Sequence, residues 1–203
     1  MVQEKEIKNM NAEQLIDALK SKDKKVRYKV LDNIMKLSRS NKTTHKQEFL
    51  NLVLLKSDSK DWEERYVAMY AVSRFYRKNW DFKDFRKQFL NALRLIDDND
   101  GRVRIAARNA LEHFRTNFLL FTWGEWDTGE KEIVDLWSDS LFSLWEKIRS
   151  LEEGKMQLHF IECIKILYQH DMDAYLNKQD YKKYQQIWEK VNELDNLYFE
   201  YGQ

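Results

Sequence analysis

Asp100-Gly-Arg-Val103-Arg104-Ile-Ala-Ala107-Arg-Asn-Ala110-Leu111 is the stretch on which the fold turns. Val103, Ala107, Ala110, Leu111 and then Phe114 stand at i, i+4, i+7, i+8 and i+11, the spacing of one apolar face on an α-helix. The same phrase occurs twice upstream, as Asp23-Lys-Lys-Val26-Arg27-Tyr-Lys-Val30-Leu-Asp-Asn-Ile34 and as Asp61-Trp-Glu-Glu64-Arg65-Tyr-Val-Ala68-Met-Tyr-Ala-Val72. Successive aspartates are 38 and 39 residues apart. Self-similarity at a period of about 20–50 residues marks an array of stacked units, none of which buries its apolar face alone. Such arrays present surface, so the pattern predicts binding rather than chemistry.

Each unit reads as two antiparallel helices. The repeats span 11–40, 44–78 and 82–116, and in the third Phe82–Ile96 precedes Gly101–Thr116. Short polar turns, Lys20–Lys24, Ser57–Lys60 and Asp97–Gly101, separate the two helices of each pair. Asn11 with Gln14, Thr44 with Gln47 and Asp61 with Glu64 have the spacing of capping boxes. A degenerate fourth repeat covers 131–170. Ile133, Trp137, Leu141, Leu144, Trp145 and Ile148 share one face of its first helix. Met156, Phe160, Cys163, Ile164 and Leu167 then match Val103, Ala107, Ala110, Leu111 and Phe114 at a constant offset of 53. The extra residues fall in an aromatic insertion, 117–130, read as packing against the fourth repeat, with a partner-binding hook as its alternative. A last helix, 179–199, turns Tyr184, Ile187, Trp188, Val191 and Leu194 inward and is expected to cap the stack. The reading is one all-α domain over 1–203.

Composition agrees. The 203 residues include no proline, where ordinary usage of about 5% would place about ten. Only five glycines occur, so helices can run long between short turns. Cys163 is the single cysteine, which excludes an intrachain disulfide and leads to the expectation of a cytoplasmic protein. No run approaches the roughly 20 apolar residues of a membrane span, and no membrane partner is expected. The net charge of +1 hides an asymmetry. Residues 1–118 hold 26 Lys and Arg against 17 Asp and Glu, whereas 119–203 hold 9 against 17. A basic first half points to an acidic partner.

The pattern Asp-x-x-Val-Arg-x-x-Ala-x-x-Ala-Leu resembles the HEAT-repeat family. The third repeat carries it whole in Asp100, Val103, Arg104, Ala107, Ala110 and Leu111. The first keeps Asp23, Val26 and Arg27, and the second keeps Asp61, Arg65, Ala68 and Ala71 but has Glu64 in place of the valine. The resemblance covers roughly 11–116. It implies a right-handed α-solenoid of about four helix pairs with a C-terminal capping helix, the second helices lining a concave face. It also implies a structural ladder in which Arg27, Arg65 and Arg104 bridge to Asp23, Asp61 and Asp100. Fold resemblance of this kind is nearly silent on function.

The candidate binding residues lie opposite the apolar face of each second helix. At 100° per residue, positions 105 and 109 point away from the 103/107/110/111/114 face. Their equivalents are Tyr28, Tyr66 and Ile105, and Asp32, Tyr70 and Asn109. Near the helix C-termini come Lys36 with Arg74, and Arg39 with Arg77. Tyr28, Lys36, Arg39, Tyr66, Tyr70, Arg74 and Arg77 therefore form a basic, tyrosine-bearing surface suited to an acidic protein partner. Aromatics with cations suit nucleic acid as well. The alternative is a DNA-binding protein of the alkylpurine glycosylase type, a HEAT-like family using Trp, Asp and Arg in a basic groove; Trp62, Trp80 and Asp81 are present, but no motif aligns residue by residue. HEAT-like bilin lyases are similar at the Val-Arg-x-x-Ala level only.

Catalytic patterns are thin. No phosphate-cradling loop, nucleophile elbow or zinc-protease helix occurs. His159 and Glu162 at i, i+3 lack the second pair a metal site needs, and Glu112-His113 reverses the order used by HEAT-repeat iron hydroxylases. Cys163 falls in a core-facing slot. The reading is a non-enzymatic module without metal or cofactor.

Overall fold

The computed structural model describes residues 10–39, 43–75, 81–120, 130–152, 154–168 and 176–201. Among these residues the regular structure is entirely helical: α1 Ala12–Ala18, α2 Lys24–Arg39, α3 Thr43–Ser57, α4 Trp62–Val72, α5 Phe82–Leu95, α6 Gly101–Leu120, α7 Glu130–Arg149, α8 Lys155–Leu167 and α9 Lys178–Tyr201. The chain divides into two compact units, Met1–Phe114 and Arg115–Gln203.

In the first unit, α1 packs on α3 and α3 on α5, while α1 packs on α2 and α3 on α4. Phe114 of α6 meets Phe85 and Phe89 of α5 edge-on, at 5.5 and 6.0 Å between ring centroids. The result is a helical-repeat-like arrangement in which first helices stack on first helices. The periodic residues of α6 (Val103, Ala107, Ala110, Leu111, Phe114) are all fully buried. Phe49, Phe75, Phe85 and Phe89 are fully buried too, each contributing about 1.5–3 kcal/mol through apolar burial. Gln88, also buried, donates from Nε2 to the Leu50 carbonyl at 2.8 Å and so ties α5 to α3. Ala107 is small because its neighbours sit close. Ala107→Leu should overpack the site and destabilise the protein by about 1–3 kcal/mol, lowering Tm by about 2–4 °C per kcal/mol for a chain of this size. An unchanged melting curve would contradict the register.

The helix starts follow local chemistry, with two departures from expectation. Asn11 caps α1 through a full capping box: its Oδ1 accepts from the Gln14 amide and Gln14 Oε1 from the Asn11 amide, both at 2.9 Å. Thr44 is not a cap, because α3 already begins at Thr43; Gln47 instead bonds Asn51 and, across to α5, Asp84. Asp61 does cap α4, accepting from the Glu63 amide at 2.9 Å, but Glu64 does not close the box. Ser59 Oγ accepts the Asp61 amide at 3.1 Å, leaving Glu64 for another task.

In the second unit α7 and α8 form a hairpin and α9 packs on both. Trp137 Nε1 and Tyr184 Oη both donate to the Leu167 carbonyl, which satisfies one of the orphan acceptors at the end of α8. Tyr168 stacks on Trp188 at 4.0 Å and on Tyr184 at 4.9 Å. Tyr184, Ile187 and Val191 are buried, as the periodicity of α9 predicts; Trp188 and Leu194 are half-buried. Gly154, just before α8, has φ 153° and ψ −172°, a conformation that strains any residue with a Cβ. Of the aromatic insertion 117–130, residues up to Leu120 continue α6 and Glu130 opens α7. Residues 121–129 lie outside the described residues, as does Arg77.

Candidate interaction surface on the second helices

The turn between paired helices is built three times with the same bonds. Arg27 Nη1 donates to the carbonyls of Ser21 and Lys22 at 2.7 and 3.0 Å. Arg65 Nη1 does so to Ser59 and Lys60 at 2.9 and 3.0 Å, and Arg104 Nη1 to Asp98 and Asn99 at 2.7 and 3.1 Å. Within each turn the side chain of Ser21, Ser59 or Asp98 accepts the amide of Asp23, Asp61 or Asp100. Asp23, Asp61 and Asp100 in turn accept the amides of Lys25, Glu63 and Arg102. The expected aspartate–arginine ladder takes a different form: the three aspartates cap helices, and the three arginines lock turn carbonyls. One arginine reaches the next repeat, Arg65, whose Nε and Nη2 grip both oxygens of Asp98 at 2.7 and 2.9 Å. Burial is the largest influence on the Asp98 carboxyl and pushes its pKa up, but Arg65 and the Asp100 amide outweigh it and the net shift is downward. The Arg102 guanidinium holds the half-buried Asp100 carboxyl well below the usual carboxylate range.

Glu64, the departure from the repeat pattern, belongs to a second cluster. Lys56 Nζ sits 3.2 Å from Glu64 and 3.3 Å from Asp17, and Lys20 Nζ lies 3.4 Å from each. The Glu64 pKa is lowered, first by the Ser59 hydroxyl and then by Lys56. Burial pulls the Lys56 pKa down, yet Glu64 and Asp17 prevail and it ends above its ordinary value. Beside these turns is a cleft of about 460 Å³ lined by Asp58, Ser59, Arg65, Arg94, Asp98 and their neighbours. Arg94 spans it, donating to the Ser57 carbonyl, Asp58 and Asn91. Its polar groups are thus engaged in tying turns together.

The opposite side of the second helices carries the candidate surface. Tyr28 is 57% and Ile105 is 52% exposed, as the wheel predicts for their register. On α4, Tyr66 and Tyr70 are half-buried and stack at 5.9 Å with planes 18° apart. Trp62, one turn earlier, extends the row at 6.5 Å. The guanidinium of Arg102 lies 3.3 Å over the Trp62 ring, and Lys24 Nζ 5.6 Å over Tyr28. Lys36, Arg39 and Arg74 are exposed; Lys36 pairs with Asp32, and Arg39 Nη2 approaches Met35 Sδ at 3.8 Å. The sequence reading of this surface did not include Trp62 and Arg102. Trp62 was discoverable from its place four residues before Tyr66; Arg102 was not, because its position holds Lys25 and Glu63 in the other repeats.

Among the described residues, no three His, Cys, Asp or Glu side chains gather as a metal site, and no helix is long and apolar enough to cross a membrane. His113 Nε2 bonds the Phe75 carbonyl at 2.7 Å, and Cys163 is buried with its Sγ 3.9 Å from His159 Nε2.

Comparison with protein-family models gave no match, and comparison with curated proteins gave none. Among solved structures, the chain is similar to an engineered protein known from a crystal structure, at 14% identity and a TM-score of 0.43 over 95% of this chain and 85% of that one.

Proposed function

We propose that this chain is a non-enzymatic interaction module, a scaffold holding an acidic segment of a protein partner against the outward row of its second helices. The observation that carries the reading is the Trp62–Tyr66–Tyr70 row, half-exposed on α4 and accompanied at equivalent positions by exposed Tyr28 and Ile105. Rigid rings supply contact area at small entropic cost and dominate binding hot spots. Exposed Arg74 supplies charge for carboxylates. Two other cations of the row, Lys36 and Arg102, are already matched by Asp32 and Asp100. The row is therefore less charged than a phosphate-tracking groove, which favours an acidic protein over nucleic acid. The fold reading that accompanies it is a right-handed HEAT-like α-solenoid: three pairs in the first unit, with α7 and α8 a degenerate fourth pair capped by α9. The row would then be concave. The lone, buried Cys163 suits a reducing cytoplasm.

The test is titration of an acidic peptide and of duplex DNA, each across salt concentration. Tyr66→Ala should weaken peptide binding about tenfold, or about 1.4 kcal/mol, with an unchanged salt slope, since stacking releases no counterions. Arg74→Glu should weaken it further and flatten the salt slope. Arg74→Glu should melt like the wild type, because exposed substitutions typically stay within about 0.5 kcal/mol. Tyr66→Ala, which removes a half-buried ring, should lower the melting temperature yet stay folded at the titration temperature. Tight duplex binding that collapses with salt would favour the glycosylase-type reading. Failure to bind either ligand would end the proposal.

A further inference from the structure

Two helices carry outward charge seams that form no ion pair among the described residues. On α5, Lys83, Arg86 and Lys87 are exposed and form no ion pair, and Leu90, exposed one turn on, continues the line. On α7, Glu132, Asp135 and Asp139 are exposed and likewise form no ion pair. Both seams run on alternating steps of three and four residues (83, 87, 90 and 132, 135, 139). That average of 3.5 keeps a line straight along a helix and suits side-by-side packing with a second helix. Near neighbours leave each seam a net charge: Asp81 caps α5 by accepting the Asp84 amide, the Asp84 carboxylate accepts from Gln47 and is one negative charge beside three positive ones, and Lys131 is one positive charge beside three negative ones.

We propose that the basic seam of α5 docks on the acidic seam of α7 in a second copy of this chain. Charge complementarity selects the occupant. The seams are opposite in sign and share a spacing, and they lie in halves of the sequence with an excess of nine positive and eight negative charges. The contact is heterologous, joining different patches on the two copies. Each copy therefore retains an unused seam, and assembly continues beyond a dimer unless a ring closes. A contact of one helix pair is small, so association is weak and reversible. It uses residues of α5 and α7 and none of the tyrosine row on α4, and stands or falls independently of the partner proposed for that row.

Sedimentation velocity decides it. The wild type should form concentration-dependent species larger than a dimer at about 0.01 M salt, where the Debye length is about 30 Å, and should be monomeric at about 1 M, where it is about 3 Å. Lys83→Glu/Arg86→Glu/Lys87→Glu should weaken association at least tenfold. So should Glu132→Lys/Asp135→Lys/Asp139→Lys. An equimolar mixture of these two variants should associate again, since each offers the seam the other lacks. Lys22→Glu/Lys25→Glu/Lys60→Glu, an equal charge change at exposed sites elsewhere, should leave wild-type association in place. Circular dichroism and melting should match the wild type for all three. A monomeric wild type at low salt, a mixture that stays monomeric, or a control as impaired as the seam variants would each overturn the proposal.

Discussion

Arg65→Ala should be among the most damaging single changes in this protein, destabilising it by about 3–5 kcal/mol. Arg65 donates four hydrogen bonds: two to the turn carbonyls of Ser59 and Lys60 and two to Asp98. The Asp98 side chain is only 7% exposed, so removing the guanidinium strands a carboxylate away from water. Differential scanning calorimetry of the variant reads the loss directly. Asp98→Asn should be milder, because a neutral amide tolerates burial better, and the double variant should be less unstable than the two single effects added together. The pair also sets an acid limit. The Asp98 pKa is depressed, so its contribution is present above the ordinary carboxylate value of about 4 and is lost as pH falls through the depressed value. In Arg65→Ala that part of the acid sensitivity should vanish. A variant melting like the wild type would show that the inter-repeat bond does not hold the turns together.

Glu64→Val should destabilise the protein by about 2–4 kcal/mol, although it restores the residue found at the equivalent positions Val26 and Val103. The reason is Lys56, whose side chain is only 10% exposed and whose nearest counter-charge is Glu64 at 3.2 Å. With valine there, Asp17 alone remains to balance a nearly buried ammonium. Glu64→Val/Lys56→Met should recover most of the loss, since replacing both members of a buried pair with apolar groups is often neutral or stabilising. Thermal melts of the two variants make the comparison. If Glu64→Val were as stable as the wild type, the cluster would be surface decoration.

What the sequence by itself determined is what depends on neighbours within a few turns. Burial of Val103, Ala107, Ala110, Leu111 and Phe114, exposure of Tyr28 and Ile105, and the Asn11 cap all follow from the 3.6-residue period and from local backbone donors. The three turns were located for the same reason. What only the tertiary structure decided is which groups of different helices and turns meet, from 8 to 40 residues apart in the chain. Asp97, Asp98 and Asp100 sit at nearly the same distance in sequence from Arg65, and only packing of one turn on the next brings Asp98 to it. Glu64 reads as a failed capping box or a broken repeat until Lys56 of the preceding helix is seen beside it. Arg102 joins the tyrosine row because α6 lays it over Trp62 of α4, a contact between positions that share no residue type from repeat to repeat. The division into two units at Phe114 and Arg115 falls a few residues before the charge switch and the 117–130 insertion, and the helical pattern does not mark it, because α6 runs through it without a breaker. Periodicity records which face of a helix is apolar; it does not record the partner that covers it.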